Sequence, residues 1–175
     1  MAIEPLDAGA EVTAPGNPVL AGLAYAPGVL SYRGARYLLI RPETLAALQH
    51  AAEAALGQRA GDCFVAGGRV GGGGAVSGLA GPPRERIDGL LAMGTAIGWG
   101  AFALETLTPS SLVVTVEGSP FAAAYGDSAS PVCHLTRGVL ESLVAAAFGA
   151  PWTVRETACA AMGAARCRFA ATPPP

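Results

Sequence analysis

The sequence predicts an α+β domain, with helices packed on one face of a four-stranded antiparallel sheet. Three observations carry this. Apolar residues recur at helical spacing in segments between Pro42 and Ala147. Two segments between Phe102 and Glu117 alternate apolar and polar residues around a Thr108-Pro109-Ser110 turn. Two more extended segments, Trp152–Ala158 and Ala165–Ala170, close the chain. Strands segregated from helices in this way favour an antiparallel sheet over a βαβ alternation.

Taken in order, residues 1–20 are rich in Pro, Gly and acid and are expected to form a flexible arm. Val29–Tyr32 and Tyr37–Ile40 flank Arg33-Gly34-Ala35 as a short hairpin. Pro42 suits a first helical position, and Leu45, Leu48, Ala52, Ala55 and Leu56 form a stripe that Gly57 ends. A second helix over Ala60–Val70 runs into Gly71–Gly74, either a flexible loop or a point of close backbone approach. Pro83 opens a third, with Ile87, Leu90, Leu91, Gly94 and Ile97 on one face. After the Phe102–Glu117 hairpin, Ser130 caps and Pro131 begins the clearest helix. Its stripe is Val132, Leu135, Val139, Leu140, Leu143, Val144 and Ala147, and Gly149 stops it. A loop with Met162-Gly163 joins the last two strands, and 172–175 is a tail. Residues 21–171 are thus expected to form a single domain.

Bulk properties narrow the function. The chain of 175 residues is 51% hydrophobic and 14% charged, so it can bury one sizeable core. Its net charge of −2 has no block of like sign, which argues against a nucleic-acid surface. All eleven basic residues are arginine, a bias consistent with bacterial genomic composition. Glu4, Asp7 and Glu11 occupy the region where a secretory signal would be basic, and the uncharged Gly89–Leu104 is shorter than the roughly 20 residues a spanning helix needs. The expectation is a cytoplasmic protein without a membrane span. Thiols stay reduced in that compartment, so clustered cysteines point to metal or chemistry before disulfides.

Cys133, Glu156, Cys159 and Cys167 form such a group. On the first closing strand Trp152, Val154 and Glu156 share one face, opposite Thr153, Arg155 and Thr157; on the next, Cys167 and Phe169 oppose Arg166 and Arg168. An inward carboxylate needs a cation. Zinc accepts thiolates and a carboxylate tetrahedrally, and four protein ligands would make the site structural. The alternative is three small buried hydrophobes and a solvent-facing glutamate. Cys63 stands apart from the group and reads as a core residue.

From Tyr32 to Phe169 the chain resembles the 4-vinyl reductase domain family. The resemblance rests on Pro131-Val132-Cys133 with Gly138, on Glu156-Thr157-Ala158-Cys159, on Gly163, and on Cys167-Arg168-Phe169. Tyr32-Arg33-Gly34-Ala35-Arg36-Tyr37-Leu38-Leu39-Ile40 and Gly98-Trp99-Gly100 also suit it. The resemblance implies the ligand-sensing fold of bacterial phenol and aromatic-hydrocarbon regulators, shared with the transport-particle subunits of vesicle tethering. It also implies a structural zinc on Cys133, Glu156, Cys159 and Cys167, and a homodimer.

The expected function is therefore a stand-alone domain that binds a small hydrophobic or aromatic molecule in a sensory or carrier role. The expected cavity lies between helices and sheet, with Trp99, Phe102, Met93, Ile97, Phe64 and Tyr125 as candidate lining. An accessory protein or vinyl reductase of bacteriochlorophyll synthesis is the alternative, and a vesicle-tethering type of scaffold is third. No dinucleotide fingerprint follows a strand, since Gly71–Gly74 continues as Ala75-Val76-Ser77. His50 and His134 are read as structural, so no catalytic constellation is identified and the chain leans away from being an enzyme.

Overall fold

Proline and glycine punctuate the elements of the computed structural model, which describes residues 16–77 and 79–174. Most of the arm expected over residues 1–20 and the last residue of the expected tail therefore lie outside the described residues. The chain divides after Tyr37 into two units.

In the first unit, Asn17 caps the short helix α1 (Pro18–Ala21), its Oδ1 accepting from the N–H groups of Val19 and Leu20 at 3.0 and 3.2 Å. Strands β1 (Leu23–Ala26), β2 (Val29–Tyr32) and β3 (Ala35–Tyr37) follow as an antiparallel meander. The β2–β3 turn is Arg33-Gly34, both left-handed (φ 50° and 78°), the conformation a tight two-residue hairpin demands. The hairpin is thus present, but its second strand is Ala35–Tyr37 rather than Tyr37–Ile40. So short a turn pairs Ala35 directly with Tyr32, and the ladder ends at Leu30 opposite Tyr37.

In the second unit, α2 (Pro42–Leu56) starts at the predicted proline and ends at Gly57. Its buried residues are Ala46 and Gln49, and Leu48 is 54% exposed, so the inward face is not the leucine stripe. The Gln49 side chain fixes that rotation by donating to the Val132 carbonyl at 3.3 Å and to Glu53 at 2.9 Å. After a 3-10 turn comes α3 (Ala60–Ser77), unbroken through Gly71–Gly74. The flexible loop is therefore absent, and the alternative expectation, close backbone approach, holds at Gly72. A Cβ there would lie 2.8 Å from the Cα of Val139; one on Gly68 would strike the Leu135 carbonyl, and one on Gly138 the Val65 carbonyl. Missing side chains on both helices let α3 and α6 (His134–Phe148) meet backbone to backbone.

Helix α4 (Pro83–Ala96) buries Ile87, Leu90 and Leu91 as expected. Strands β4 (Ala101–Thr108) and β5 (Ser111–Glu117) form the predicted hairpin. A short helix that periodicity did not reveal, α5 (Pro120–Tyr125), is capped by Ser119. Helix α6 begins at His134, not Pro131: Cys133 is its N-cap, and Ser130 lies in a bend upstream. Strands β6 (Thr153–Ala158) and β7 (Cys167–Thr172) complete an antiparallel sheet ordered β4-β5-β7-β6. The α+β class is as expected. Val114, Val116, Cys167 and Phe169 are at most 1% exposed and meet Leu140, Leu143 and Val144 of α6 in one core.

Candidate metal centre and its adjoining cleft

Three elements converge on one corner of the second unit. The N-cap of α6 supplies Cys133, β6 supplies Glu156 and the residue just beyond it Cys159, and the start of β7 supplies Cys167. Their ligating atoms all lie within 4.8 Å of one another, and the group could hold a metal ion. The three thiols are free and buried. Cys133 Sγ and Cys167 Sγ are 3.6 Å apart, too far for a disulfide and close to the roughly 3.8 Å edge of a tetrahedron with 2.3 Å zinc–sulfur bonds.

Backbone geometry makes the convergence possible. Glu156 pairs with the inward Phe169, whereas Ala158 pairs with Arg168, so Thr157 is an extra residue in the ladder. Arg168 points to the opposite face, where it holds Glu105 at 3.0 Å. The bulge therefore lets Glu156 and Cys159 face inward although they are three residues apart. Simple alternation accounts for Glu156 and Cys167 but would have sent Cys159 outward, and no residue type at 157 announces the bulge.

Hydrogen bonds hold the donors in place. Glu156 Oε2 accepts from the Cys133 N–H at 2.9 Å, satisfying a donor at the start of α6, while Glu156 Oε1 is buried without a partner. Ala160 N–H donates to Cys167 Sγ at 3.4 Å, and the Ser119 hydroxyl lies 3.5 Å from Cys133 Sγ. Hydrogen bonds from Cys133 and Cys159, with the Ala160 N–H, bring the Cys167 thiol down to about 4. The opposite partnership with Cys159 and Cys167, together with burial, pushes the Cys133 thiol far above its ordinary range. One thiolate is thus preformed beside a retained proton. Burial, and then Cys159, push the Glu156 carboxyl up to about 8. A buried orphan oxygen and crowded thiols are the environment that a cation would relieve.

Glu156 also lines a cleft of about 600 Å³ between α2, α6 and the edge strand β6. Its walls include Glu53, Gly61, Tyr125, His134, Arg137 and Arg155. The His134 ring lies against Gly61, where a Cβ would come within 3.0 Å of it. Burial, and next the Arg137 charge, lower the pKa of that ring. Tyr125 donates to Glu53 at 2.6 Å and stacks on His50, with centroids 4.1 Å apart. Of the six aromatic and apolar candidates for a ligand pocket, Tyr125 lines this cleft. The others lie elsewhere: Trp99 packs edge-on to Phe121 with centroids 4.8 Å apart, and the Phe102 ring covers Gly94. Phe64 and Met93 are half-buried, and Ile97 is 39% exposed. The polar residues Arg137, Arg155 and His134 enter the cleft without having been singled out as its lining.

Among the described residues no helix is long and apolar enough to cross a membrane. Comparison with curated proteins gives no match. Among solved structures, the chain is similar to the phenol-responsive sensory domain of the transcription activator PoxR in its phenol-bound form. The two share 20% identity over 89% of this chain and 86% of that one, with a TM-score of 0.79. It is also similar to a vinyl-4-reductase family protein from Methanocaldococcus jannaschii, at 14% identity over 64% of this chain and 68% of that one, TM-score 0.53. Both likenesses describe the fold. A sequence model of the 4-vinyl reductase domain matches residues 112–173, the stretch that holds all four side chains of the cluster. Through that stretch the chain is a member of the 4-vinyl reductase domain family.

Proposed function

We propose that this chain is a sensory or carrier domain that binds a small hydrophobic or aromatic molecule, and that Cys133, Glu156, Cys159 and Cys167 hold a structural zinc ion. One observation carries the first part: the fold is shared along nearly the whole chain with a domain described as phenol-responsive. The zinc reading draws on the donor set. Thiolates favour zinc among the common divalent ions, and four protein ligands complete its tetrahedral shell. Bound there, the ion would tie the start of α6 to β6 and β7. We place the chain in the cytoplasm, where such thiols stay reduced.

Native mass spectrometry of the purified chain, followed by thermal-shift titration with phenol, toluene and naphthalene, tests the reading. Expected are one zinc per chain and a saturable rise in Tm with at least one compound. Failure of all three to bind, with a porphyrin co-purifying instead, would move the assignment to the tetrapyrrole alternative.

We also propose a homodimer. Leu38, Leu39 and Ile40 are 78%, 90% and 50% exposed, an apolar run that a second copy would cover. Sedimentation velocity on the chain and on Leu39→Glu checks this; a monomeric parent chain rejects it.

A further inference from the structure

We propose that the cleft beside the metal centre binds the oxyanion of a small molecule, a carboxylate or phosphate, through Arg137 and Arg155. This rests on the reading of the chain as a small-molecule binder and names the chemistry of the ligand.

The cations of this cleft are uncommitted, and its anions are not. Arg137 rises from the first turn of α6, and its Nε is sealed from solvent without an acceptor. A buried guanidinium N–H with no partner forgoes a charge-assisted hydrogen bond, so an acceptor arriving in the cleft gains it in full. Arg155 stands on β6, the edge strand. The ion pairs among the described residues engage Arg41, His50, Arg69, Arg84 and Arg168, and none engages Arg137 or Arg155.

The two acids on the wall already have partners. Glu53 accepts from Tyr125 at 2.6 Å and from Gln49 at 2.9 Å. Glu156 accepts from the Cys133 N–H and belongs to the metal-binding cluster, whose cation would neutralise it. The His134 ring, on the same wall, has no hydrogen-bond partner among the described residues and can meet the body of a ligand. A concave space of about 600 Å³ suits a small molecule, and the net charge of −2 disfavours a polyanion. Two guanidinium groups with no internal carboxylate partner are the recognition chemistry of a carboxylate or phosphate.

The test follows the arginine Nε–Hε signals of the ¹⁵N-labelled, zinc-loaded full chain by NMR. Benzoate, phenyl phosphate and inorganic phosphate are titrated in turn, with phenol as the neutral control. At least one oxyanion is expected to shift the Arg137 signal saturably, and phenol to leave it unmoved. Arg137→Gln and Arg155→Gln should each weaken that binding about tenfold, with Arg137→Lys intermediate. The inference is overturned if no oxyanion moves either signal, or if both glutamine variants bind as the parent does. Phenol binding without any oxyanion binding would sink the inference and leave the small-molecule reading standing. Failure of every probe would remove both.

Discussion

Glu156 and Cys159, three residues apart, both turn into the same buried cluster because Thr157 bulges out of the β6–β7 ladder between them. Deleting Thr157 restores regular alternation and sends the sulfur of Cys159 to the face occupied by Arg168. Zinc content measured by atomic emission should fall from one per chain to near zero. Thr157→Ala keeps the extra residue and loses only the 3.3 Å bond to the Arg168 carbonyl, so it should retain the metal. Equal zinc content in the deletion and the parent would refute this role for the bulge.

Metal uptake should release protons. At neutral pH Cys167 is already a thiolate, whereas Cys133 is a thiol and Glu156, raised to about 8, is mostly protonated. Those two groups must each lose a proton to become ligands. Zinc added to the metal-free chain in weak buffer should therefore acidify it, and affinity should rise with pH through 7. Calorimetry in buffers of different ionisation enthalpy measures the proton count. No release at neutral pH would contradict the assigned protonation states.

Glycines on α3 divide into two kinds, and substitution should separate them. Gly68 and Gly72 are buried against α6, while a Cβ on Gly71, Gly73 or Gly74 meets nothing within 4 Å. Gly68→Ala and Gly138→Ala should each destabilise the fold by about 1–3 kcal/mol through overpacking. Gly71→Ala or Gly73→Ala should stabilise it by about 0.5–1 kcal/mol, since alanine favours the helical conformation. Urea denaturation at fixed zinc reads both; a stabilising Gly138→Ala would disprove the close crossing.

The contrast between these glycines shows what the sequence could and could not reveal. Alternation in 102–117 and 152–170 fixes the sheet, and the apolar stripe from Leu140 to Ala147 fixes the inward face of α6. Composition alone cannot tell a glycine run that breaks a helix from one that lets another helix approach, because the answer lies in Gly138, more than sixty residues away in the chain. The rotation of α2 is equally nonlocal: Gln49 turns inward to reach the Val132 carbonyl. At the site, residue type and strand parity brought Cys133, Glu156 and Cys167 together, while Cys159 depended on the bulge. Arg137 and Arg155 resemble solvent-facing charges until the cleft brings them to one wall.

On the far wall of that cleft, the Tyr125–Glu53 pair should make stability fall at alkaline pH. The hydrogen bond to the Glu53 carboxylate, and then burial, push the Tyr125 hydroxyl up to about 12 from an ordinary value of 10.0. Between those values the native state holds a proton that the unfolded chain has released, so stability declines as pH rises through the window. Below it, the contribution of the pair is fully present. Tyr125→Phe removes the proton and the bond together. Urea midpoints of parent and variant should therefore differ most below about pH 10 and converge as the window is crossed. A gap that widens with rising pH would show that Tyr125 does not hold its proton for Glu53.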